Sequence, residues 1–213
     1  YRFINKATPT IEAVKVTGGE PTLYPKFLRD ISNYSHKKGL LFGFDTNGFL
    51  YETMSGLIAH SDLISLDLKT SLTNATLLER GVGLPGRGKA AADNTLKSLK
   101  ELMRHKEVYA DLRTTVVPTL NDDTNAFRQI GVTLESLGYE SRASERTASY
   151  TLQEFVPENA RDQTMRKIRA PSPKRLGELA RATHLEDVYV KHRDLGFMVP
   201  NSELSRLVKK RER

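Results

Sequence analysis

Short apolar runs alternate along this chain with longer stretches in which apolar residues recur at helical spacing. The runs Ala13–Thr17, Leu40–Asp45, Leu63–Leu68, Tyr109–Val117, Tyr150–Phe155 and Val188–Lys191 have the length and β-branched or aromatic content of strands. The stretches Pro25–Lys38, Tyr51–His60, Ala90–His105, Thr124–Leu137, Pro173–Thr183 and Ser202–Lys210 carry the helical period. Pro25 suits a first helical turn and Gly39 a helix end, and Ser172-Pro173 and Asn201-Ser202 are plausible helix starts. Strands interleaved with helices predict βα units and a parallel sheet. Gly81–Gly88, with four glycines and a proline, is expected to be a plain mobile loop, and the polar Tyr139–Ser149 an exposed connection.

Alternate residues of a strand face opposite ways, so each run can be divided by parity. Leu66 and Leu68 oppose Ser65, Asp67 and Lys69, and Phe42 and Phe44 oppose Gly43, Asp45 and Asn47. Leu112 and Val116 oppose Asp111, Arg113 and Thr115, and Val14 and Val16 oppose Lys15 and Thr17. Leu152 and Glu154 oppose Gln153 and Phe155, a less clean division. Strands of a parallel sheet covered on both sides read as continuous apolar runs. Here one face is apolar and the other charged, which predicts a curved or closed sheet with helices outside and charges within. Such charges must pair with one another, with water or with a ligand. Asp45, Asp67 and Lys69 fall at the C-terminal ends of their strands, where βα barrels place active sites. Both signs at one mouth suit a zwitterionic ligand. Gly18-Gly19-Glu20 follows a strand and precedes a helix; the glycines allow positive φ or a close backbone approach, and Glu20 can accept from an ammonium group. No Gly-Lys-Ser/Thr follows, so it is not a nucleoside-triphosphate loop.

The 213 residues suffice for one domain with a substantial core, and no apolar run approaches a membrane span. No signal peptide is evident, and the opening Tyr1 is read as the start of a piece of a longer or processed protein. There are no cysteines, which excludes disulfides, thiolate metal sites and a cysteine nucleophile within these residues. The net charge of +7 is concentrated late: residues 161–181 hold seven Lys/Arg against two acids and residues 201–213 five against two. This segment is either a solvated basic region or a docking surface for acidic protein or nucleic acid. His184 and His192 are assigned surface or structural roles.

Taken in order, Thr17-Gly18-Gly19-Glu20-Pro21-Thr22-Leu23, Phe44-Asp45-Thr46-Asn47-Gly48, Ser65-Leu66-Asp67-Leu68-Lys69, Leu112-Arg113-Thr114-Thr115-Val116-Val117-Pro118 and Leu152-Gln153-Glu154-Phe155-Val156-Pro157 resemble the radical S-adenosylmethionine superfamily. Within it the chain resembles the glycyl-radical-enzyme activases, namely the pyruvate formate-lyase activating enzymes and the activating proteins of anaerobic ribonucleotide reductase. The resemblance covers about residues 1–157, with Tyr1–Ala7 fitting the helix before the Gly-Gly-Glu strand. It implies an α/β fold, a partial (β/α)6 TIM-like barrel lacking the first strand and cluster loop. One domain is expected over 1–213, with a core to 157 and a basic C-terminal extension over 158–213.

The resemblance also implies S-adenosylmethionine as cofactor. Gly18, Gly19 and Glu20 match the turn that holds its amino group, and Asp45, Thr46, Asp67 and Lys69 match further contacts. Arg113 matches a basic strand residue near the ligand, and Gln153 lies on the strand that closes the site. The superfamily's [4Fe–4S] cluster is held by a Cys-x3-Cys-x2-Cys loop upstream of the Gly-Gly-Glu strand. This chain has no such loop, so the segment alone is expected to be inactive. The implied reaction is reductive cleavage to a 5′-deoxyadenosyl radical that takes a hydrogen atom from a glycine of a partner enzyme. The implied setting is an anaerobic cytoplasm, with flavodoxin or ferredoxin as electron donor. A radical enzyme acting on RNA or a small molecule and a cluster-free binding module are the alternatives.

Overall fold

The computed structural model describes residues 1–160, 162–195 and 198–204. Its strands are β1 (Ala13–Val16), β2 (Leu41–Thr46), β3 (Leu63–Asp67), β4 (Tyr109–Val116), β5 (Ala148–Glu154), β6 (Val188–Lys191) and β7 (Met198–Pro200). Helices α1 (Arg2–Ala7), α2 (Pro25–Lys37), α3 (Tyr51–Ile58), α4 (Ala75–Val82), α5 (Gly88–Arg104), α6 (Thr124–Ser136), α7 (Tyr139–Ser144) and α8 (Pro173–Ala182) intervene. One sheet runs in the order β1-β2-β3-β4-β5-β6-β7. The first six strands are parallel and β7 is antiparallel to β6. Among the described residues the sheet does not close on itself, which agrees with the partial barrel that the resemblance implied.

The two-faced strands explain why the chain folds this way. In β4 the burial alternates without a break, Ala110, Leu112, Thr114 and Val116 being buried and Tyr109, Asp111, Arg113 and Thr115 half-buried. Phe42, Phe44, Ile64, Leu66, Leu112, Tyr150 and Leu152 form one core beneath the helices. The helix α2 meets it with Leu28, Ile31, Ser32 and Ser35, an i, i+3, i+4, i+7 stripe. Asp123 caps α6 by accepting from the N–H groups of Asn125 and Ala126, and Ser172 caps α8 by accepting from that of Arg175.

Two sequence expectations change, one strand is new and one helix is only partly described. The Gly81–Gly88 loop is shorter than expected, because α4 runs through Val82 and α5 starts at Gly88. The Tyr139–Ser149 segment is not an exposed connection. It holds α7 and the start of β5, and Tyr139 and Arg142 are buried. The Arg142 guanidinium donates to the carbonyls of Leu102 (2.7 Å), Val108 (2.6 Å) and Thr147 (2.7 Å). It thereby ties the end of α5 to the starts of β4 and β5, and its burial lowers its pKa. The short β7 was not foreseen; its Pro200 suits a strand on the sheet's edge. Of the expected Ser202–Lys210 helix, residues 201–204 are helical and 205–210 lie outside the described residues.

Candidate functional site

The parallel register stacks the inward residues into rows. Asp45, Ser65, Asp111 and Ser149 share one row, and Asp67, Arg113, Thr151 and Tyr189 share the next. Above these, toward the C-terminal strand ends, Thr115, Gln153 and Lys191 are in register. Lys15 on β1 reaches Ser65 Oγ on β3 at 2.6 Å and Asp111 Oδ2 on β4 at 3.5 Å. Neighbouring strands lie about 4.8 Å apart, so three strand spacings across a flat sheet would put β1 and β4 far beyond such contact. The charged face is therefore concave.

Within that concavity Lys15 Nζ lies 2.9 Å from Asp45 Oδ1. Arg113 bridges Asp45 (3.2 Å) and Asp67 (3.1 Å) and stands 4.0 Å from Asp111. Lys69 Nζ meets Asp67 Oδ2 at 2.8 Å. Three cations and three carboxylates thus balance. Burial pushes the Asp45 pKa up, but the Thr17 hydroxyl, Lys15 and Arg113 outweigh it and hold it below the ordinary value. For Arg113 burial acts downward, and Asp67, Asp45 and Asp111 outweigh it and raise the pKa. Asp45 Oδ1 is buried and makes no hydrogen bond of good geometry, although both cations are within ion-pairing distance. The ion pairs hold it nonetheless, since Coulomb attraction does not depend on a donor angle.

The Gly-Gly-Glu turn borders this layer. Gly18 and Gly19 have φ of 90° and 60°, a region that favours glycine, and a Cβ on either would meet nothing within 4 Å. Thr17 on the same turn donates to Asp45 Oδ2 at 2.7 Å. Glu20 is held firmly: Oε1 accepts from Thr22 N–H (3.2 Å), Thr22 Oγ1 (2.6 Å) and Thr46 Oγ1 (2.9 Å), and Oε2 from Asn47 N–H (2.9 Å).

Of the residues singled out from sequence, Asp45, Asp67, Lys69 and Arg113 come together in one ion-paired group. Gln153 stands in register with Thr115 on the same face. Glu20 joins through Thr17 of its own turn. Thr46 does not face the ion pairs; it is buried and braces Glu20. Lys15, Ser65 and Asp111 complete the layer, and strand parity had already put them on its face. Lys191, exposed and in register with Gln153, was the residue missed; parity along Val188–Lys191 would have found it.

The chain has no cysteine, and among the described residues no group of three or more His, Cys, Asp or Glu is placed to hold a metal. The residues present thus do not fit an iron–sulfur cluster. Their chemistry suits a zwitterionic group: cations and carboxylates alternate on the concave face, beside two glycines with open space.

No protein-family profile matches the chain. It is 27% identical over 172 residues to a chain of Methanocaldococcus jannaschii named as a candidate glycyl-radical enzyme activating enzyme, covering 80% of this chain and 65% of that one. It is 28% identical over 124 residues to the pyruvate formate-lyase-activating enzyme of Clostridium pasteurianum, covering 58% and 48%. It is 31% identical over 128 residues to the pyruvate formate-lyase 1-activating enzyme of Escherichia coli K12, covering 59% and 48%. The chain therefore spans about half to two thirds of the length of these relatives. Among solved structures, a domain of pyruvate-formate lyase-activating enzyme from Bacteroides vulgatus superposes with a TM-score of 0.62 at 19% identity, covering 84% of this chain and 99% of that one. A radical SAM methyltransferase from Sphaerobacter thermophilus gives 0.62 at 17% identity, covering 89% and 53%. At those identities the superpositions speak for the fold. The resemblance to glycyl-radical-enzyme activases, first carried by the motifs, holds across the sequence comparisons.

Proposed function

We propose that this chain is the S-adenosylmethionine-binding barrel of a glycyl-radical-enzyme activating enzyme. The observation that carries the proposal is the balanced group of Lys15, Asp45, Asp67, Lys69, Asp111 and Arg113 at the sheet's concave face, bordered by the Gly18-Gly19-Glu20 turn. The activase relatives support the same reading.

The residues divide the work by charge. The turn and Glu20, already fixed by four hydrogen bonds, receive the cofactor's amino group. Lys69 and Arg113 face its carboxylate, and Asp45, Asp67 and Gln153 complete the wall. A zwitterion can exchange partners with an ion-paired layer and leave no buried charge uncompensated. Thr46 acts through Glu20 rather than on the ligand. Bound beside a reduced [4Fe–4S] cluster, S-adenosylmethionine would supply a 5′-deoxyadenosyl radical; this chain has no cysteine to hold that cluster. The partner expected on this reading is a glycyl-radical enzyme, with a flavodoxin or ferredoxin as electron donor in an anaerobic cytoplasm.

Titration of the full protein with S-adenosylhomocysteine, a stable analogue, tests the site. Asp67→Ala and Lys69→Ala should each weaken binding about tenfold, or about 1.4 kcal/mol; unchanged affinity in both variants removes the assignment. Anaerobic reconstitution of the full protein should then yield reductive cleavage of S-adenosylmethionine. Binding without cleavage would favour a cluster-free binding module.

A further inference from the structure

A second cluster of charges stands on the other side of the sheet. Glu154 is in register with Val116 and has the parity of buried Leu152, so it faces the helices, away from Arg113 and Gln153. A cavity of about 410 Å³ opens there between the end of β5, the segment leading to α8 and the turn after β6. That volume is within the roughly 300–1,000 Å³ of small-molecule pockets. Glu154, Glu158, Arg166, Arg169, His192 and Arg193 are among its walls.

Most of these groups have partners, although Glu154 Oε2 is buried and accepts no hydrogen bond, and Arg193 alone serves both Glu154 and Glu158. Arg193 donates to Glu154 Oε1 from its backbone N–H (2.9 Å) and from Nε (3.0 Å), and its terminal nitrogens reach Glu158 at 3.3 and 3.2 Å. Buried His192 accepts the Asp194 N–H on Nδ1 at 3.0 Å. Its Nε2 stands 2.9 Å from Glu154 Oε2 and 3.1 Å from the Pro171 carbonyl. Asp194, the remaining acid of the lining, is 63% exposed. The N-terminus of α8 adds little, because Pro173 has no N–H and Ser172 takes that of Arg175.

Two guanidinium groups remain. Arg166 commits only Nε, to the Ala160 carbonyl at 2.9 Å, and among the described residues neither Arg166 nor Arg169 has a carboxylate partner. Exposed Lys167 and Lys174 flank them, likewise without a carboxylate partner among the described residues. Planar guanidiniums with free N–H forks match the geometry of phosphate and carboxylate. We propose that this cavity binds a small oxyanion, a phosphate or carboxylate group of a small molecule, through Arg166 and Arg169. The Arg193–Glu154–His192 array forms its fixed wall. Arg166 and Arg169 are two of the seven basic residues over 161–181.

Calorimetric titration of the full protein at low salt, with inorganic phosphate in one arm and citrate in the other, separates the two sources. We expect saturable, millimolar-range binding in at least one arm. An R166Q/R169Q double variant should weaken it at least tenfold, while K37Q/K38Q on remote α2 leaves it unchanged. No saturable binding of either ion overturns the proposal, as does an unchanged affinity in the double variant or an equal loss in the lysine control. A parallel titration with S-adenosylhomocysteine reports on the concave site alone. The double variant should keep that affinity, so failure of one site is distinguishable from failure of the other.

Discussion

Arg113→Met offers the sharpest test of the charged layer. The substitution keeps most of the aliphatic stem and removes the one cation that contacts Asp45, Asp67 and Asp111 together. Breaking a fully buried ion pair costs about 3–5 kcal/mol. Here the Arg113 side chain is 15% exposed and its three acids 19–28%, so water relaxes part of the loss, and about 2–3 kcal/mol is expected at pH 7. The pH dependence follows from linkage. A carboxylate whose folded pKa is depressed contributes stability above its unfolded pKa, about 3.9, and loses it as pH falls through the folded value. Asp45 is such a group, and Arg113 is one of the causes. The variant's deficit should therefore be largest near neutrality and shrink as pH falls below about 4 through the lower folded pKa of Asp45. Urea unfolding followed by circular dichroism at pH 7 and pH 3 measures both deficits. A deficit of the same size at both would mean that Arg113 acts through packing, and the electrostatic account would be refuted.

Arg142→Met should cost about 3 kcal/mol, since two buried carbonyls and one part-buried one lose a charged donor. That corresponds to a melting temperature lower by roughly 6–12 °C for a chain of this size. Arg142→Lys should recover only part, because an ammonium cannot fan out over three segments; a Met variant within about 0.5 kcal/mol of wild type would contradict the clamp. His105 titrates above its ordinary value, raised mainly by its hydrogen bond to Glu107, with burial opposing and Glu101 adding to the rise. Its contribution to stability should be complete below about pH 6.5 and fade as pH rises through the folded pKa. An NMR titration of His105 in wild type and in Glu107→Gln should show the pKa falling in the variant; no change would reject the pairing.

Strand parity made the site legible, because a period of two depends only on the local backbone. Asp45, Asp67 and Arg113 fall on one face by counting alone, and β4 keeps that alternation over all eight residues. The depth of the layer was not legible. Lys15 contacts Asp111 only because the sheet curves, and curvature is a property of the assembled strands. Arg142 was hidden for a similar reason: a polar segment with a central arginine looks solvated until three carbonyls from separate segments converge on it. The uneven parity at Gln153–Phe155 has its own cause. Glu154 stands on the helix-facing side because Arg193 and His192, nearly forty residues later, pair with it there.

The charge balance of the concave face constrains what can bind it. With Lys15, Lys69 and Arg113 set against Asp45, Asp67 and Asp111, a simple anion or cation would have to leave one side uncompensated. A ligand carrying both signs can displace a cation from a carboxylate at one end and offer that cation a carboxylate at the other. Fixed partners lower the reorganisation this requires, as the four hydrogen bonds on Glu20 do at the rim. Arg113 is least suited to move, because it is the least exposed of the three cations and touches the most acids. Lys69, with a single carboxylate partner near the C-terminal end of β3, is the cation best placed to swing onto an incoming carboxylate. Its removal should therefore weaken the ligand more than it weakens the fold, whereas removal of Arg113 should weaken both.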